Sequence, residues 1–152
     1  MKGIVMKVFS LTTAHPRPQR LWQVVGLSHS HGVTLLKQVS VGLDGKVARL
    51  IVEWAKITQS DLRIMCGISS TKFNRSLKAR FSVSQSERLV RIIRVLDRTM
   101  ELFEGNQKEA KKWLNEPNRA LRWKVPARLL ASETGAYEVM KLITRLEQGV
   151  YS

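Results

Sequence analysis

The chain has 152 residues, with 26 Lys and Arg against 12 Asp and Glu, a formal net charge of +14 and a single cysteine. That length holds one large domain or two small ones, and one cysteine excludes an internal disulfide and fits a reducing, cytoplasmic compartment. No run approaches the ~18–20 apolar residues of a membrane span, and so large a cationic excess points to an anionic partner, nucleic acid first.

The charge is uneven. Residues 1–50 carry 7 basic and 1 acidic side chains, residues 51–100 carry 10 and 4, and residues 101–152 carry 9 and 7. The basic work therefore belongs to the first hundred residues. The opening MKGIVMKVFS has an apolar patch too short for a signal-peptide core, and SLTTAHPRPQ after it alternates proline with polar residues. Residues 1–19 are expected to form an arm and linker. Short helices are expected at Leu21–Val25 and Gly32–Ser40, with His29 and His31 in the polar turn between them. A helix from about Lys46 to Ile57 follows, with Val47, Leu50, Ile51 and Trp54 at helical spacing.

The stretch TQSDLRIMCGISSTKFNRSLKAR carries a more specific pattern. Thr58 and Asp61 stand at capping-box spacing. Leu62, Met65 and Cys66 give a short apolar face, Gly67 a turn, and Ser69 or Ser70 a second cap. A second helix is expected over Thr71–Arg80 with Phe73 and Leu77 inward, which makes the pair a helix-turn-helix. Ser70, Thr71, Lys72, Asn74, Arg75, Lys78 and Arg80 are the candidate DNA contacts. Hydroxyls and free amides at a helix start suit phosphate, cations suit phosphate or guanine, and asparagine suits adenine. A solvated helix pair in an ordinary bundle is the plainer alternative.

A long helix is expected to open with a capping box at Ser84 and Glu87 and to end at Gly105. Its buried stripe is Leu89, Ile92, Ile93, Leu96, Met100 and Phe103. Arg88, Arg91, Arg94 and Arg98 lie within about 120° of its circumference and form one ridge. Phosphate, an acidic partner surface or plain solubility are the readings open for that ridge. The three histidines, His15, His29 and His31, have no second ligand cluster to make a zinc site. Cys66 reads as core, and no nucleophile set or phosphate-cradling Gly-rich loop is present. No cofactor and no catalysis are expected.

After Gly105 come helical segments Gln107–Leu114, a turn near Asn118–Leu121, a helix opening at Pro126 and a last helix Glu133–Gln148 with Gly149 beyond it. Trp113, Leu114, Leu121, Leu129 and Leu130 form a small apolar core broken by Pro117 and Pro126. The class is all-α, with a helix-turn-helix region over 20–104 and a C-terminal module over 105–152. Low net charge and tryptophan in that module suggest a protein-binding surface.

The residues Ala110, Trp113-Leu114, Pro117-Asn118, Ala120-Leu121, Pro126, Leu129-Leu130, Gly135, Val139, Leu142 and Gly149 resemble the toxin-binding domain of the Xre/MbcA/ParS antitoxin family. Ser84-x-x-Glu87-Arg88 with Arg91, and the pairs Gly26-Leu27 and Gly42-Leu43, extend the resemblance to about residues 20–152. It implies an antitoxin of a type II pair that neutralises a RES-domain, NAD-degrading toxin by occupying its active-site cleft. It further implies binding to operator DNA, a homodimer and a larger assembly with the toxin. On that footing the toxin surface would comprise Trp113, Asn118, Trp123, Lys141, Arg145, Gly149, Val150, Tyr151 and Ser152, with Tyr151 and the terminal carboxylate at the nucleotide cleft. The chain departs from the family at Arg122-Trp123-Lys124, where many relatives carry small residues, which leaves the toxin surface facing that loop open. Two other readings stand beside it: a stand-alone transcriptional regulator whose C-terminal domain dimerises, and a neutralising module whose helix-turn-helix is vestigial.

Overall fold

The computed structural model describes residues 19–28 and 31–149. The expectations for the arm before Gln19, for His15 and His29, and for Val150, Tyr151 and Ser152 fall outside those residues. Among the described residues nine α-helices and one 3-10 turn form, as the all-α reading implies. They are α1 (Leu21–Val24), α2 (Val33–Val41), α3 (Lys46–Ala55), α4 (Gln59–Cys66), α5 (Ser70–Leu77), α6 (Val83–Leu102), α7 (Gln107–Asn115), the turn Arg119–Leu121, α8 (Pro126–Leu129) and α9 (Glu133–Glu147).

Local chemistry sets these boundaries. Thr58 Oγ1 accepts from the Asp61 N–H (3.0 Å) and the Asp61 carboxylate accepts from the Thr58 N–H (3.1 Å), closing the capping box of α4. Gly67, at φ 67°, ends it in the left-handed region. Ser69, rather than Ser70, caps α5. The start of α6 differs from the sequence expectation. Ser82 is its cap, accepting from the Gln85 N–H (3.1 Å), while Gln85 Oε1 accepts from the Ser82 N–H (2.9 Å). Gln85 also receives the Ser76 hydroxyl of α5 (2.9 Å). That extra bond ties the cap to the preceding helix and places Ser84 inside the first turn.

Helix α6 is the spine. Its 20 residues contact α1, α2, α3, α4, α7 and α9. Leu89, Ile92, Ile93, Leu96 and Met100 are buried as the periodicity requires, and so are Val90, Val95, Ser86, Asp97 and Thr99. A helix surrounded on most sides has no open face, so the four arginines are half-buried and do not form a free ridge. Arg88 donates to the Gly67 carbonyl (2.8 Å). Arg98 donates to Thr144 Oγ1 (2.9 Å) and pairs with Glu147, fastening α9 along α6. Phe103 is half-buried and meets the Trp113 ring at 6.2 Å.

Two buried polar groups of the spine, Ser86 and Asp97, hold neighbouring segments by their free amides. Ser86 Oγ accepts from the Leu43 N–H (2.8 Å). Asp97 accepts from the N–H groups of Leu21 (2.7 Å) and Trp22 (3.3 Å), serving α1 as an N-cap supplied from another helix, with Arg20 beside it. Burial pushes the Asp97 carboxyl above its ordinary value, against the pull of those donors and of Arg20. A raised folded-state value means the folded chain holds this proton more tightly than the unfolded one. The proton-linked part of the Asp97 contribution to stability is therefore full below the unfolded value of about 3.9 and is lost as pH rises through the folded one, whereas its capping bonds remain at any pH. Asp97→Ala strands buried amides and should cost about 1–3 kcal/mol in chemical denaturation. Asp97→Asn keeps one acceptor without a charge to bury. It should lose less and should lack that pH-dependent decline. Equal losses in the two variants would refute the capping role.

Elsewhere the short helices are tied by their ends. The Gln107 amide donates to the Trp54 carbonyl (3.0 Å) and Lys111 Nζ to that of Lys56 (3.2 Å), so α7 serves the C-terminus of α3. The loop before α3 lies against the chain after α5: the Phe81 N–H donates to Leu43 O (2.8 Å) and the Gly45 N–H to Ala79 O (3.1 Å). A Cβ on Gly45 would stand 2.3 Å from the Leu77 carbonyl oxygen, so only glycine allows this approach.

Candidate functional site

Helices α4 and α5 and the Gly67 turn form the expected helix-turn-helix. At 100° per residue, Ser70, Thr71, Asn74, Arg75 and Lys78 fall within about 140° of arc, and all are exposed, while Phe73 and Ser76 face inward. Leu77 is half-buried, because α5 ends there and the chain turns toward Gly45. Lys78 and Arg80, expected inside the helix, follow it.

Beside α5 opens a groove of about 810 Å³ between the Gly67 turn, α5 and the start of α6. Lys72, Arg75, Arg80 and Arg88 line it, together with Ser69 and Ser82, the caps of two helices; none of its lining residues is acidic. Helix starts present unpaired N–H groups and a partial positive charge, which adds to the four cations. The groove thus has the chemistry of a phosphate track next to an outward face bearing Asn74. Its cations differ in freedom. Arg80 donates to the Gly42 carbonyl and Arg88 to that of Gly67, so both also support the fold. Cys66 lies behind the turn, where burial pushes its thiol up to about 12 despite Arg91 and Arg88 nearby, which leaves it a packing residue.

The C-terminal module presents a different surface. Leu114, Leu121, Leu130, Ala136, Val139, Leu142 and Ile143 are buried and join the main core, whereas Leu129 is half-buried. Trp113 is half-buried against that core. Trp123 instead stands 66% exposed. Asn118 is occupied locally, its Oδ1 accepting from the Ala120 N–H (2.9 Å) as cap of the 3-10 turn. Lys141 is exposed, close to Glu138 (3.7 Å) and over the Tyr137 ring. Arg145 is half-buried and Gly149 is exposed. The two modules touch directly, since a Cβ on Gly67 would lie 3.1 Å from that of Ala131.

A two-helix reading head beside a cationic groove, on a spine that also anchors a second helical module, defines a two-part helix-turn-helix protein. A family model described as the antitoxin Xre-like helix-turn-helix domain matches residues 34–94. Another, described as the antitoxin Xre/MbcA/ParS C-terminal toxin-binding domain, matches residues 98–149. The chain is 37% identical over 144 residues to the antitoxin Xre of Yersinia enterocolitica, covering 91% of this chain and 97% of that protein. It is 33% identical over 150 residues to the antitoxin Xre of Photorhabdus laumondii subsp. laumondii, covering 97% and 100%. The chain belongs to the Xre/MbcA/ParS antitoxin family. Neither family model describes an enzyme. Among the described residues no helix is long and apolar enough to cross a membrane.

Proposed function

We propose that the chain is the antitoxin of a type II pair, with DNA binding on one module and toxin neutralisation on the other. Residues 20–104 bind operator DNA through Ser70, Thr71, Lys72, Asn74, Arg75, Lys78 and Arg80. Residues 105–152 dock on a RES-domain, NAD-degrading toxin through a face that includes Trp113, Trp123, Lys141 and Arg145, and the docked module blocks its active site. The observation that carries this reading is the exposed Trp123 on a module matched to a toxin-binding family, separate from the groove beside α5. Co-expression with a RES-domain enzyme encoded beside it tests the reading. Growth should recover and cellular NAD should hold. Continued NAD loss with the antitoxin present at excess would overturn it.

Operator binding calls for a second copy, because paired reading heads occupy successive major grooves about 34–36 Å apart. Helix α2 supports pairing: Leu35 and Val39 face the core, while its outward side carries Val33, Leu36 and Val41, 71%, 67% and 69% exposed, around Lys37. Leu36→Lys should shift sedimentation toward the monomer and weaken operator binding. A dimer unaffected by Leu36→Lys places the contact elsewhere.

A further inference from the structure

The loop around Trp123 has its own chemistry. From Pro117 to Ser132 the chain carries Arg119, Arg122, Lys124 and Arg128, all exposed, and no acidic residue. Trp123 stands among them. Arg122 and Trp123 are consecutive left-handed residues, at φ 56° and 66°, a conformation uncommon for side chains with a Cβ. Such geometry persists where the surroundings over-determine it, and it concentrates at functional sites. The surroundings here are specific. The Asn118 N–H donates to Lys124 O (3.0 Å), the Trp123 N–H to Asn118 O (2.8 Å), and the Lys124 N–H to Leu121 O (3.1 Å). The loop is therefore closed before any partner arrives, and ordering it on binding costs little.

An exposed indole on a closed loop, flanked in sequence by exposed cations, fits an apolar slot with a carboxylate rim. It does not fit a nucleotide cleft, because a pocket built for phosphates is itself cationic and repels this loop. Nor does the loop suit a polyanion lying across the module, since Glu116 and Glu133 bound the cationic segment and Glu138 follows on α9. We propose that the Asn118–Lys124 loop anchors the toxin complex outside the nucleotide cleft, with Trp123 entering an acid-rimmed apolar slot on the toxin. This rests on the reading of the chain as the antitoxin of a RES-domain enzyme.

The test uses the full chain titrated against the purified RES-domain enzyme, with Trp123→Ala and the double variant Arg122→Glu/Lys124→Glu. Trp123→Ala should weaken the complex at least about thirtyfold, as a hot-spot truncation does. Trp123→Phe should recover part of the loss. The double reversal should weaken the complex and lessen its sensitivity to salt, with melting temperature and operator binding unchanged. The sign of that change separates the sites: a cationic cleft would bind the glutamates more tightly, so tighter or unchanged binding overturns the proposal. Larger losses in operator affinity than in toxin affinity would make nucleic acid the ligand and also overturn it. If the unaltered chain forms no complex, the antitoxin reading falls and the anchor with it. If the unaltered chain binds and all variants bind equally, the anchor alone falls.

Discussion

Replacing Lys72 and Arg75 together by alanine is expected to weaken operator binding about a hundredfold or more, at about 1.5–3 kcal/mol for each charge-assisted phosphate contact. Each lost contact should also reduce the slope of log K against log salt by about 0.9, so the double variant should be flatter by about 1.8. The pair is chosen on structural grounds. Both side chains are exposed and line the groove beside α5, whereas Arg80 and Arg88 are tied to the Gly42 and Gly67 carbonyls. Removing either of those would mix a folding defect into the binding loss. The helix itself should survive the double change, because alanine is a better helix former than lysine or arginine and Phe73 and Ser76 hold the inner face. Anisotropy titrations on an operator fragment from 50 to 200 mM salt provide the measurement. A slope unchanged from the parent would move the phosphate track off this groove.

The sequence made the helices legible wherever local chemistry alone decides them. Thr58 and Asp61, Gly67, Pro126 and Gly149 mark their boundaries by capping, left-handed turns and a fixed proline φ, all of which act within a few residues. The start of α6 shows where that information becomes ambiguous. Ser82-x-x-Gln85 and Ser84-x-x-Glu87 both satisfy the same pattern. The choice falls to Ser82 through the Ser76 hydroxyl, a contact between helices. Periodicity similarly gave α6 one buried stripe, but it could not show that six other helices surround it. The arginines therefore read as a surface ridge, while the fold uses Arg98 as a clasp on α9 and, unread from spacing, Asp97 as a buried cap for α1. For the candidate site, the face of α5 was visible from spacing. The contribution of Arg88 and of the two helix starts to one groove was not, since it depends on where α6 begins relative to the Gly67 turn. Both tryptophans of the C-terminal module stood among the expected toxin contacts, with Trp113 also read as core, and packing separates their exposure. Phe103 covers Trp113, and the left-handed turn at Arg122 carries Trp123 out of the core.

Gly135→Ala should be strongly destabilising, although the substitution looks favourable by helix propensity. Gly135 lies in the first turn of α9, where alanine ordinarily gains about 0.5–1 kcal/mol over glycine. At this position a Cβ would stand 2.0 Å from the Leu129 carbonyl oxygen and 2.9 Å from its carbon. Those atoms are backbone and cannot rotate away. The corner between α8 and α9 is drawn this tight by fully buried Leu130 and Val139 and by Ser132 Oγ, which accepts the Gly135 N–H (2.9 Å). Relief requires α8 to move off α9, and the accompanying overpacking costs about 1–3 kcal/mol or more. For a chain of this size that corresponds to a fall in Tm of about 2–12 °C. Gly149→Ala is the matched control: φ is 73°, but nothing lies within 4 Å of the added carbon, so it bears backbone strain alone and should lose less. Because α9 also packs on the 3-10 turn that carries the Trp123 loop, Gly135→Ala should reduce toxin affinity more than operator affinity. Thermal melts beside the two titrations decide the matter, and a variant as stable as the parent would show that the α8–α9 corner is looser than the geometry describes.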